Sequence, residues 1–478
     1  MGFKKNKIKK TSGIYSNFVG LLSLLIIFVI GLYVIQNINI LNFDSIDNNQ
    51  IIQKTNDNDD DTESIGIQTE EKSTDTKKND GNKINILIVG RGGGNHDAPD
   101  LTDTIILGSI DMKKEVITLF SLPRDLYVNY DKITSGKING IYAKYSSEKT
   151  SKTYGMTQLE KKVTQITGEE IDFFVNIDFQ GFTKIIDSIG GIPITVSNNF
   201  VDNQYPDGKG GYRTLVFKKG TWLFDGDSAL KYARSRHSTS DFDRSLRQQQ
   251  VIKAFKDKMT TGYFLKSPKK IKEFYDVFTK YVTTDVDFEN IIKFSYTLKK
   301  VKEFKILSHS LNDSCFYGSS TCDKGGFLYV PNREYFSGMS ILLIEGTDKN
   351  NLSKYEQLHS YTQMIFNDQE LFLENHKVNI FNSLKVNHLA GSLSNNVKRF
   401  GFNIPEKGSI GNTKKIYEKS VILYNKDIKD SVTLKKMRGF FSGEFQQVDK
   451  PLYSSDIDTK IEIIIGEDYL NKDNTFHF

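Results

Sequence analysis

Short apolar runs rich in β-branched residues alternate with amphipathic segments from residue 84 to about residue 260. The apolar runs predict strands at 84–90 (INILIVG), 104–110, 116–122, 172–178 and 192–196. Apolar residues at helical spacing predict helices at 137–147, 156–167, 179–190, 225–233 and 242–259. Because strands alternate with helices, the predicted fold class is α/β, with a mixed β-sheet flanked by helices on both faces (an αβα sandwich).

A second, shorter pattern of the same kind occupies residues 376–470. It contains the apolar runs KVNIFNS, SVILYN and TKIEIIIGEDY, with the helical segment LAGSLSNNVKRFGF between the first two. The first region is expected to close near residue 372, so the domain boundaries are 84–372 and 376–470. The second unit is predicted to be a small C-terminal α/β domain, and it carries no obvious catalytic groups.

The N-terminal pattern predicts a membrane anchor. Residues 18–35 are apolar and uncharged over roughly the length of a bilayer-spanning helix, and lysines precede them. The positive-inside rule makes 1–17 a cytoplasmic basic tail and 18–36 a single-pass signal anchor in the cell membrane, with all later residues outside. The alternative is a cleaved signal peptide, but the run is long and no small-x-small site follows it. Residues 37–83 are rich in Asp and Asn and are predicted to be a disordered acidic linker.

Composition narrows the classes of function. The chain has 478 residues and a formal charge of +5, which is too mild to indicate a nucleic-acid binder, so any basic site must be local. The two cysteines, Cys315 and Cys322, flank a Gly-Ser-Ser turn. They predict a small disulfide loop in an oxidising compartment, with two free thiols as the alternative.

The segment YARSRHSTSDFDRSLRQQQ (232–250) concentrates arginines. Arg244, Arg247 and Gln248 share one face of the predicted helix. Arg234 and Arg236 point the same way if the chain is extended there. The four guanidiniums could then converge on one phosphate, which arginine binds bidentately. The alternative is a solvated basic helix, which is what most charged segments are.

Two residues from other segments support a site. Arg124 in SLPRD follows a predicted strand, at the position where α/β sheets bind ligands. Asp103 in LTDT precedes the neighbouring strand. The structural alternatives are an Arg124–Asp125 pair in a turn and a strand-capping aspartate.

The ordered motifs TDTIIL, SLPRD, KING, IDFFVNIDFQGFTKIIDSIGGIPITV and GTWLFDGDSALKYARSRHSTSDFDRSLRQQQ strongly resemble the catalytic domain of the LytR-CpsA-Psr family of cell-envelope proteins. The motifs extend from residue 84 to about 260 and continue more weakly through GGFLYVPN. Each motif alone is weak, but the ordered set is specific. The C-terminal unit resembles the LytR C-terminal domain.

This resemblance implies a membrane-anchored extracellular phosphotransferase. Such a protein transfers a glycopolymer from a polyprenyl-pyrophosphate carrier to peptidoglycan, with a muramic-acid hydroxyl as the expected nucleophile and pyrophosphatase as a side activity. The implied partners are this carrier, peptidoglycan and the cytoplasmic membrane, and no nucleic acid. The implied pyrophosphate ligands are Arg124, Lys137, Arg234, Arg236, Arg244, Arg247 and Gln248. Asp103 would help to hold Mg²⁺ or Mn²⁺, and it would share the catalytic role with Arg124, Arg244 and Arg247.

The chain departs from the family pattern in one loop. Many members have Gly-x-Asp after the first strand, whereas GRGGGNHD places Gly92 where the acid is expected. Asp97 or His96 is the candidate replacement in metal binding and catalysis. INGIYAKYSS also lacks an expected glycine pair, which would alter the acceptor side. The family's apolar lipid tunnel would be lined by Phe173, Phe174, Phe179 and Phe182, with plain core packing as the alternative.

Two other functions remain open on the sequence alone. One is a non-catalytic scaffold that binds polyprenyl phosphate or the wall, having lost turnover with the missing acid. The other is an envelope-related transcriptional attenuator, which the predicted outward topology opposes.

Overall fold

The computed structural model describes residues 83–94, 96–147, 152–207, 211–235, parts of 247–258, 268–286, 304–311, 326–405 and 408–470. The strands of the first unit are β1 (Lys83–Arg91), β2 (Thr104–Asp111), β3 (Val116–Leu122), β4 (Tyr127–Asn129), β5 (Ser135–Lys137), β6 (Phe173–Asp178), β7 (Ile192–Val196), β8 (Phe200–Pro206), β9 (Tyr212–Phe217), β10 (Gly220–Phe224), β11 (Val282–Thr284), β12 (Lys305–Ser310), β13 (Leu328–Tyr329) and β14 (Leu343–Ile344). Its helices are α1 (Gly140–Ser147), α2 (Lys152–Thr167), α3 (Phe179–Ser188), α4 (Gly226–Arg234), α5 (Pro268–Tyr281), α6 (Glu356–Asn367) and α7 (Gln369–Glu374).

The main sheet of the first unit has the strand order β11-β6-β1-β2-β3-β12. Strand β1 is parallel to β6 and antiparallel to β2, and β3 is antiparallel to β2 and parallel to β12. The sheet is therefore mixed, as predicted. The predicted strands are confirmed to within two residues, but β7 pairs with β10 in a separate two-stranded ribbon.

Both faces of the main sheet are covered, which explains why the central strands are apolar at nearly every position. Alternate residues of β1 face opposite sides. Leu87 belongs to the core that includes residues of α1, α2 and α6, and Ile88 to the core that includes residues of α3, α4 and α5. The described residues of 242–259 are helical, and their buried side chains join the second core. The predicted αβα layering is confirmed.

The second unit contains β15 (Lys377–Asn382), α8 (Leu389–Arg399), β16 (Ile410–Asn412), β17 (Val421–Asn425), α9 (Val432–Phe440), β18 (Glu444–Val448) and β19 (Thr459–Ile465). Its sheet has the order β16-β15-β19-β17-β18. The apolar core that contains Leu87 continues into this unit and includes Val378, Leu393 and Ile463. The two units are thus joined by packed apolar side chains.

One predicted helix starts later than expected, and the predicted membrane span is not among the described residues. The helix expected from residue 137 begins at Gly140, because Ser135–Lys137 instead pair with β4 as strand β5. The predicted membrane span at 18–36 lies outside the described residues, and so do the tail at 1–17 and the linker up to residue 82. Among the helices that the structure describes, none is long and apolar enough to cross a bilayer.

Candidate functional site

Four charged side chains lie at one edge of the main sheet. The register pairs Arg91, at the end of β1, with Asp178, at the end of β6. Asp103 directly precedes β2, whose first residue pairs with the residue before Arg91. Arg124 follows the end of β3 by two residues, and β3 ends at this edge because it is antiparallel to β2. This is the kind of sheet edge at which α/β folds bind ligands.

Arg124 and Asp103 form an ion pair in the structure. The Arg124 NH1 atom lies 3.1 Å from Oδ1 of Asp103, and the side chains are 41% and 35% exposed. Asn139 donates from Nδ2 to the same carboxylate oxygen at 3.4 Å. The main chain of Asn139 is itself held, because its carbonyl accepts from the amide of Thr102 at 3.1 Å. The pair is therefore positioned by three segments and remains open to solvent.

Asp125 links Arg124 to a second cation. The Arg124 Nε atom lies 3.5 Å from Asp125 Oδ2, and Lys137 Nζ lies 2.6 Å from Asp125 Oδ1. Burial disfavours the charged guanidinium, but the carboxylates of Asp103 and Asp125 offset this and raise the pKa of Arg124 above its usual value. The Arg124–Asp125 pair, given above as the structural alternative, is present, and Arg124 also pairs with Asp103. Lys137 reaches the site from strand β5.

Arg91 and Asp178 were not among the predicted site residues. Arg91 NH2 lies 3.4 Å from Asp178 Oδ2, and NH1 lies 3.3 Å from Asp100 Oδ1. Asp178 also caps helix α3, because its Oδ1 accepts from the amide of Gly181 at 2.7 Å. The sequence signal that could have identified them is their position, because each is the last residue of a buried strand that leads into a loop or helix. The pair fixes the start of α3 against the end of β1.

The glycine-rich loop folds tightly over this edge. Gly93 has φ +67°, and a Cβ atom there would meet the Asp178 side chain at 2.4 Å, so only glycine fits. The His96 ring lies against the Cα of Gly92 and edge-on to Phe179, with ring centroids 5.7 Å apart. Asp97 is exposed on the loop. Of the two candidate replacements for the missing acid, His96 is therefore the side chain in contact with Gly92.

Arg234 is held over an aromatic surface next to this loop. Its guanidinium lies 4.2 Å from the ring centroid of Phe179 and 5.4 Å from that of Tyr205. NH1 donates to the Tyr205 hydroxyl at 3.3 Å. Because Phe179 directly follows Asp178, the cation of Arg234 is brought to the same sheet edge from helix α4. Stacking on aromatic rings orients a guanidinium without neutralising it.

The position of Arg247 differs from the prediction that the four arginines of 232–250 converge on one phosphate. Its side chain is buried, with NH2 donating to the carbonyl of Ser235 at 2.5 Å and the guanidinium 4.7 Å from the Phe200 ring. It therefore contacts the chain directly after Arg234. Arg236, Arg244 and Gln248 lie outside the described residues, as do Cys315 and Cys322.

The four phenylalanines proposed for a lipid tunnel do not share one surface. Phe174 is buried in the core on one face of the main sheet, whereas Phe182, and Phe173 in part, belong to the core on the opposite face. Phe179 lies under Arg234 at the sheet edge. Side chains of consecutive strand residues point to opposite faces, so Phe174 cannot line a tunnel together with Phe173. A tunnel lined by the other three stays a prediction.

The side chains available as metal ligands restrict how a metal could bind. Over the described ranges, no three His, Cys, Asp or Glu side chains gather as a metal cage. Mg²⁺, however, commonly uses one or two carboxylates and completes its coordination with substrate phosphates and water. Asp103, which is partly exposed beside Arg124, fits that kind of shared site.

Comparisons with known proteins agree with the motif set. The model of the LytR_cpsA_psr family matches residues 48–340. A second model, described as LytR cell envelope-related transcriptional attenuator, matches residues 375–469. The chain is 32% identical over 177 residues to the polyisoprenyl-teichoic acid–peptidoglycan teichoic acid transferase TagV of Bacillus subtilis, a match that covers 36% of this chain and 42% of TagV.

Other relatives are similar at the same level. The cell wall biosynthesis protein LcpA of Corynebacterium glutamicum is 28% identical over 42% of this chain and 41% of LcpA. The regulatory protein MsrR of Staphylococcus aureus is 29% identical over 50% of this chain and 67% of MsrR. The matches thus span about two fifths of the length of TagV and LcpA. Among solved structures, that of B. subtilis TagV is 24% identical, with a TM-score of 0.40 over 60% of this chain and 97% of that one.

Proposed function

This chain belongs to the LytR-CpsA-Psr family, and on this premise we propose that it transfers a glycopolymer from a polyprenyl-pyrophosphate carrier to peptidoglycan. The observation that carries the proposal is the open sheet edge at which Arg124, Asp103 and Lys137 form one connected cluster. The names of TagV and LcpA, a teichoic acid transferase and a cell wall biosynthesis protein, support the same class of reaction.

The reaction forms one phosphodiester and breaks one phosphoanhydride. The acceptor hydroxyl oxygen bonds to the phosphorus that bears the glycan, its proton is released, and polyprenyl phosphate leaves with the former bridging oxygen. Such transfers are governed by the positioning of the reactants and by neutralisation of charge on nonbridging oxygens. A site for this chemistry needs fixed cations more than it needs a nucleophilic side chain.

The chain's own residues can meet these needs. Arg124 contacts carboxylates through NH1 and Nε, so further N–H donors of its guanidinium can face a phosphate. Lys137 adds a second positive charge beside Asp125. Arg234, held on Phe179 and Tyr205 next to the glycine-rich loop, adds a third. A pyrophosphate could then be bound by groups from three different elements.

A divalent cation completes the proposed site. When bound, Mg²⁺ or Mn²⁺ would neutralise charge on the phosphate oxygens. Asp103 would hold it, with Asp97 as a further candidate ligand from the exposed loop.

The proposed location is the outer face of the cell membrane. It rests on the apolar, uncharged segment at 18–35 and the lysines before it, which predict a single-pass anchor with the folded units outside. This is the compartment in which a lipid-linked glycan could meet peptidoglycan.

The test uses the full-length chain with a polyprenyl-pyrophosphate-linked glycan, peptidoglycan oligomers and Mg²⁺. Mass spectrometry measures lipid that co-purifies, and release of polyprenyl phosphate measures turnover. Arg124→Ala and Asp103→Asn are each expected to lower turnover about 100-fold or more, as the loss of a charge-stabilising group does elsewhere. Arg438→Ala, an exposed arginine of the second unit, is the matched control and should leave turnover unchanged.

The outcomes separate the alternatives. Binding of the carrier without release, in the parent and with every cation tested, would indicate a scaffold. Neither binding nor release would overturn the proposal. An attenuator would require the second unit to be protected from protease added to intact cells, whereas the proposed enzyme exposes it.

A further inference from the structure

Two β-ribbons beside the site expose large apolar side chains. Val201 and Val216 lie opposite each other on β8 and β9, and they are 37% and 60% exposed. Tyr212 on β9 is 70% exposed, and Trp222 on β10 is 47% exposed. We call these residues the ribbon surface: Val201, Tyr212, Val216 and Trp222.

These side chains are not part of the apolar cores of the described residues. The opposite face of the β8–β9 ribbon is already packed, because Phe200 and Phe217 stack with centroids 4.6 Å apart and both contact Tyr232. A strand pair with one packed face normally presents polar residues on the other. Throughout the described ranges, the outward valines have no apolar cluster over them. Their exposure therefore needs another explanation.

An open apolar cavity adjoins the ribbon surface. It has a volume of about 380 Å³ and lies between β9, β10 and α4. Trp222 forms part of its wall with Phe217 and Phe224. Lys218 and Lys231 also line it, and the amine of Lys231 pairs with Asp227. Apolar walls with the amine of Lys218 beside them suit an amphiphile that carries a negative charge.

The charge of this segment has one sign. Residues 212–223 contain Arg213, Lys218 and Lys219 and no carboxylate, and all three cations are exposed. Tryptophan, tyrosine and aliphatic side chains interleaved with lysine are typical of protein surfaces that enter the interface of a lipid bilayer. Lysines next to such side chains attract anionic headgroups.

We propose that the ribbon surface docks on the headgroup region of an anionic lipid bilayer. This inference rests on the proposed function, and it would set the height of the site above the membrane. Tyr205 of β8 contacts Arg234, so docking of the ribbons would hold that guanidinium close to the headgroups. The pyrophosphate of a polyprenyl carrier lies at that level. A glycan partner fits the surface less well, because Val201 and Val216 offer it no side-chain hydrogen bonds.

The chain provides its own reporter, because Trp222 is its single tryptophan. The experiment reconstitutes the full-length chain in vesicles of phosphatidylglycerol and brominated phosphatidylcholine, since bromine quenches tryptophan only at close contact. Trp222 is expected to lose most of its emission relative to vesicles without bromine. Equal emission in the two kinds of vesicle would overturn the proposal.

Variants separate docking from mere tethering by the N-terminal segment. Val201→Glu and Val216→Glu are expected to restore the emission, whereas Ile457→Glu, at a still more exposed aliphatic position of the second unit, should not. Circular dichroism checks that each variant is folded. Lys218→Gln and Lys219→Gln should each weaken docking about fivefold on anionic vesicles and little on zwitterionic ones. Quenching that survives both glutamate variants would contradict the proposal.

Failure of this inference and failure of the proposed function are distinguishable. Release of polyprenyl phosphate measured in detergent micelles needs no bilayer. Release in micelles with no quenching in vesicles would reject docking alone. A shift of Trp222 emission caused by peptidoglycan fragments, without quenching by brominated lipid, would assign the surface to a glycan instead and so overturn membrane docking.

Discussion

At the sheet edge, charged side chains are held in place by neighbours that carry the opposite charge or an aromatic ring. Asp103 and Asp125 flank Arg124, while Phe179 and Tyr205 support Arg234. The two arginines therefore differ electrostatically. The charge of Arg124 is partly balanced by the protein, whereas that of Arg234 is oriented by ring faces and remains available to an anion.

Phe179→Leu tests the stacking of Arg234. Loss of a partly buried cation–π contact costs about 0.5–2 kcal/mol, so KM for the pyrophosphate substrate is expected to rise about 2- to 30-fold while kcat changes little. Steady-state kinetics of polyprenyl phosphate release measure both constants. Phe445→Leu removes a similar ring beneath Arg438 in the second unit and serves as the control. A fall in kcat with unchanged KM would show that Phe179 does not act through substrate binding.

At the scale of elements, two carboxyl groups of like charge lie near each other between helix α2 and the strand at the edge of the main sheet. Asp285 follows β11, and its Oδ1 accepts from the amide of Phe174 in β6 at 2.8 Å. Burial, together with the nearby charge of Asp285, raises the pKa of Glu160 on α2 to about 7. Burial also raises the pKa of Asp285. These elements thus pack at some electrostatic cost at neutral pH.

Glu160→Gln should remove a pH dependence of stability. The native carboxyl keeps its proton up to about pH 7, whereas the unfolded one, with an ordinary pKa of 4.5, releases it earlier. The free energy of unfolding of the parent should therefore fall as the pH rises from about 4.5 through about 7. The variant should keep only the smaller decline that is due to Asp285, and it should be more stable than the parent at pH 8 by on the order of 1 kcal/mol, because solvent screens a part-buried group.

Urea unfolding at pH 4.5 and pH 8 measures this difference. Glu356→Gln, at an exposed position in the first turn of α6, is the control. The same pH dependence in the parent and in Glu160→Gln would contradict the assignment.

At the scale of the whole molecule, Arg399 connects the two units. It lies at the end of α8, with its side chain 6% exposed, and it pairs with Glu345 of the first unit. NH1 donates to Oε1 of Gln357 at 3.2 Å, and the guanidinium lies 5.3 Å from the ring centroid of Phe327. The apolar core also continues across this boundary, through contacts such as Phe327 with Phe400. Both kinds of contact make cooperative unfolding the expectation.

Arg399→Ala should weaken that coupling. The lost charge-assisted hydrogen bonds and ring contact are expected to cost about 2 kcal/mol. In calorimetry the second unit should then unfold at a lower temperature than the first, in place of a single transition. Lys426→Ala, which removes a pair with Asp449 whose members are 64% and 85% exposed, should leave the profile unchanged. A single transition in Arg399→Ala would show that the apolar contacts suffice.

Sequence reasoning located five of the fourteen strands and four of the seven α-helices that the structure describes in the first unit. These include four of the six strands of the main sheet, because burial on both faces leaves unbroken apolar runs. It missed the start of α1, since Ser135–Lys137 carry no apolar pattern and form a strand only by pairing with β4. It also missed Arg91 and Asp178. Their pairing depends on the parallel register of β1 and β6, which lie more than 80 residues apart in the chain.

The sequence by itself determined the family, the central strands and several helices of the first unit, and the residue types of a phosphate site, because motifs and apolar periodicity are local properties of the chain. Only the tertiary structure decided which of those residues meet. It placed Lys137 on Asp125, Arg234 on Phe179 and the buried Arg247 on the carbonyl of Ser235. These contacts depend on strand register and on packing between distant segments, which no local pattern encodes.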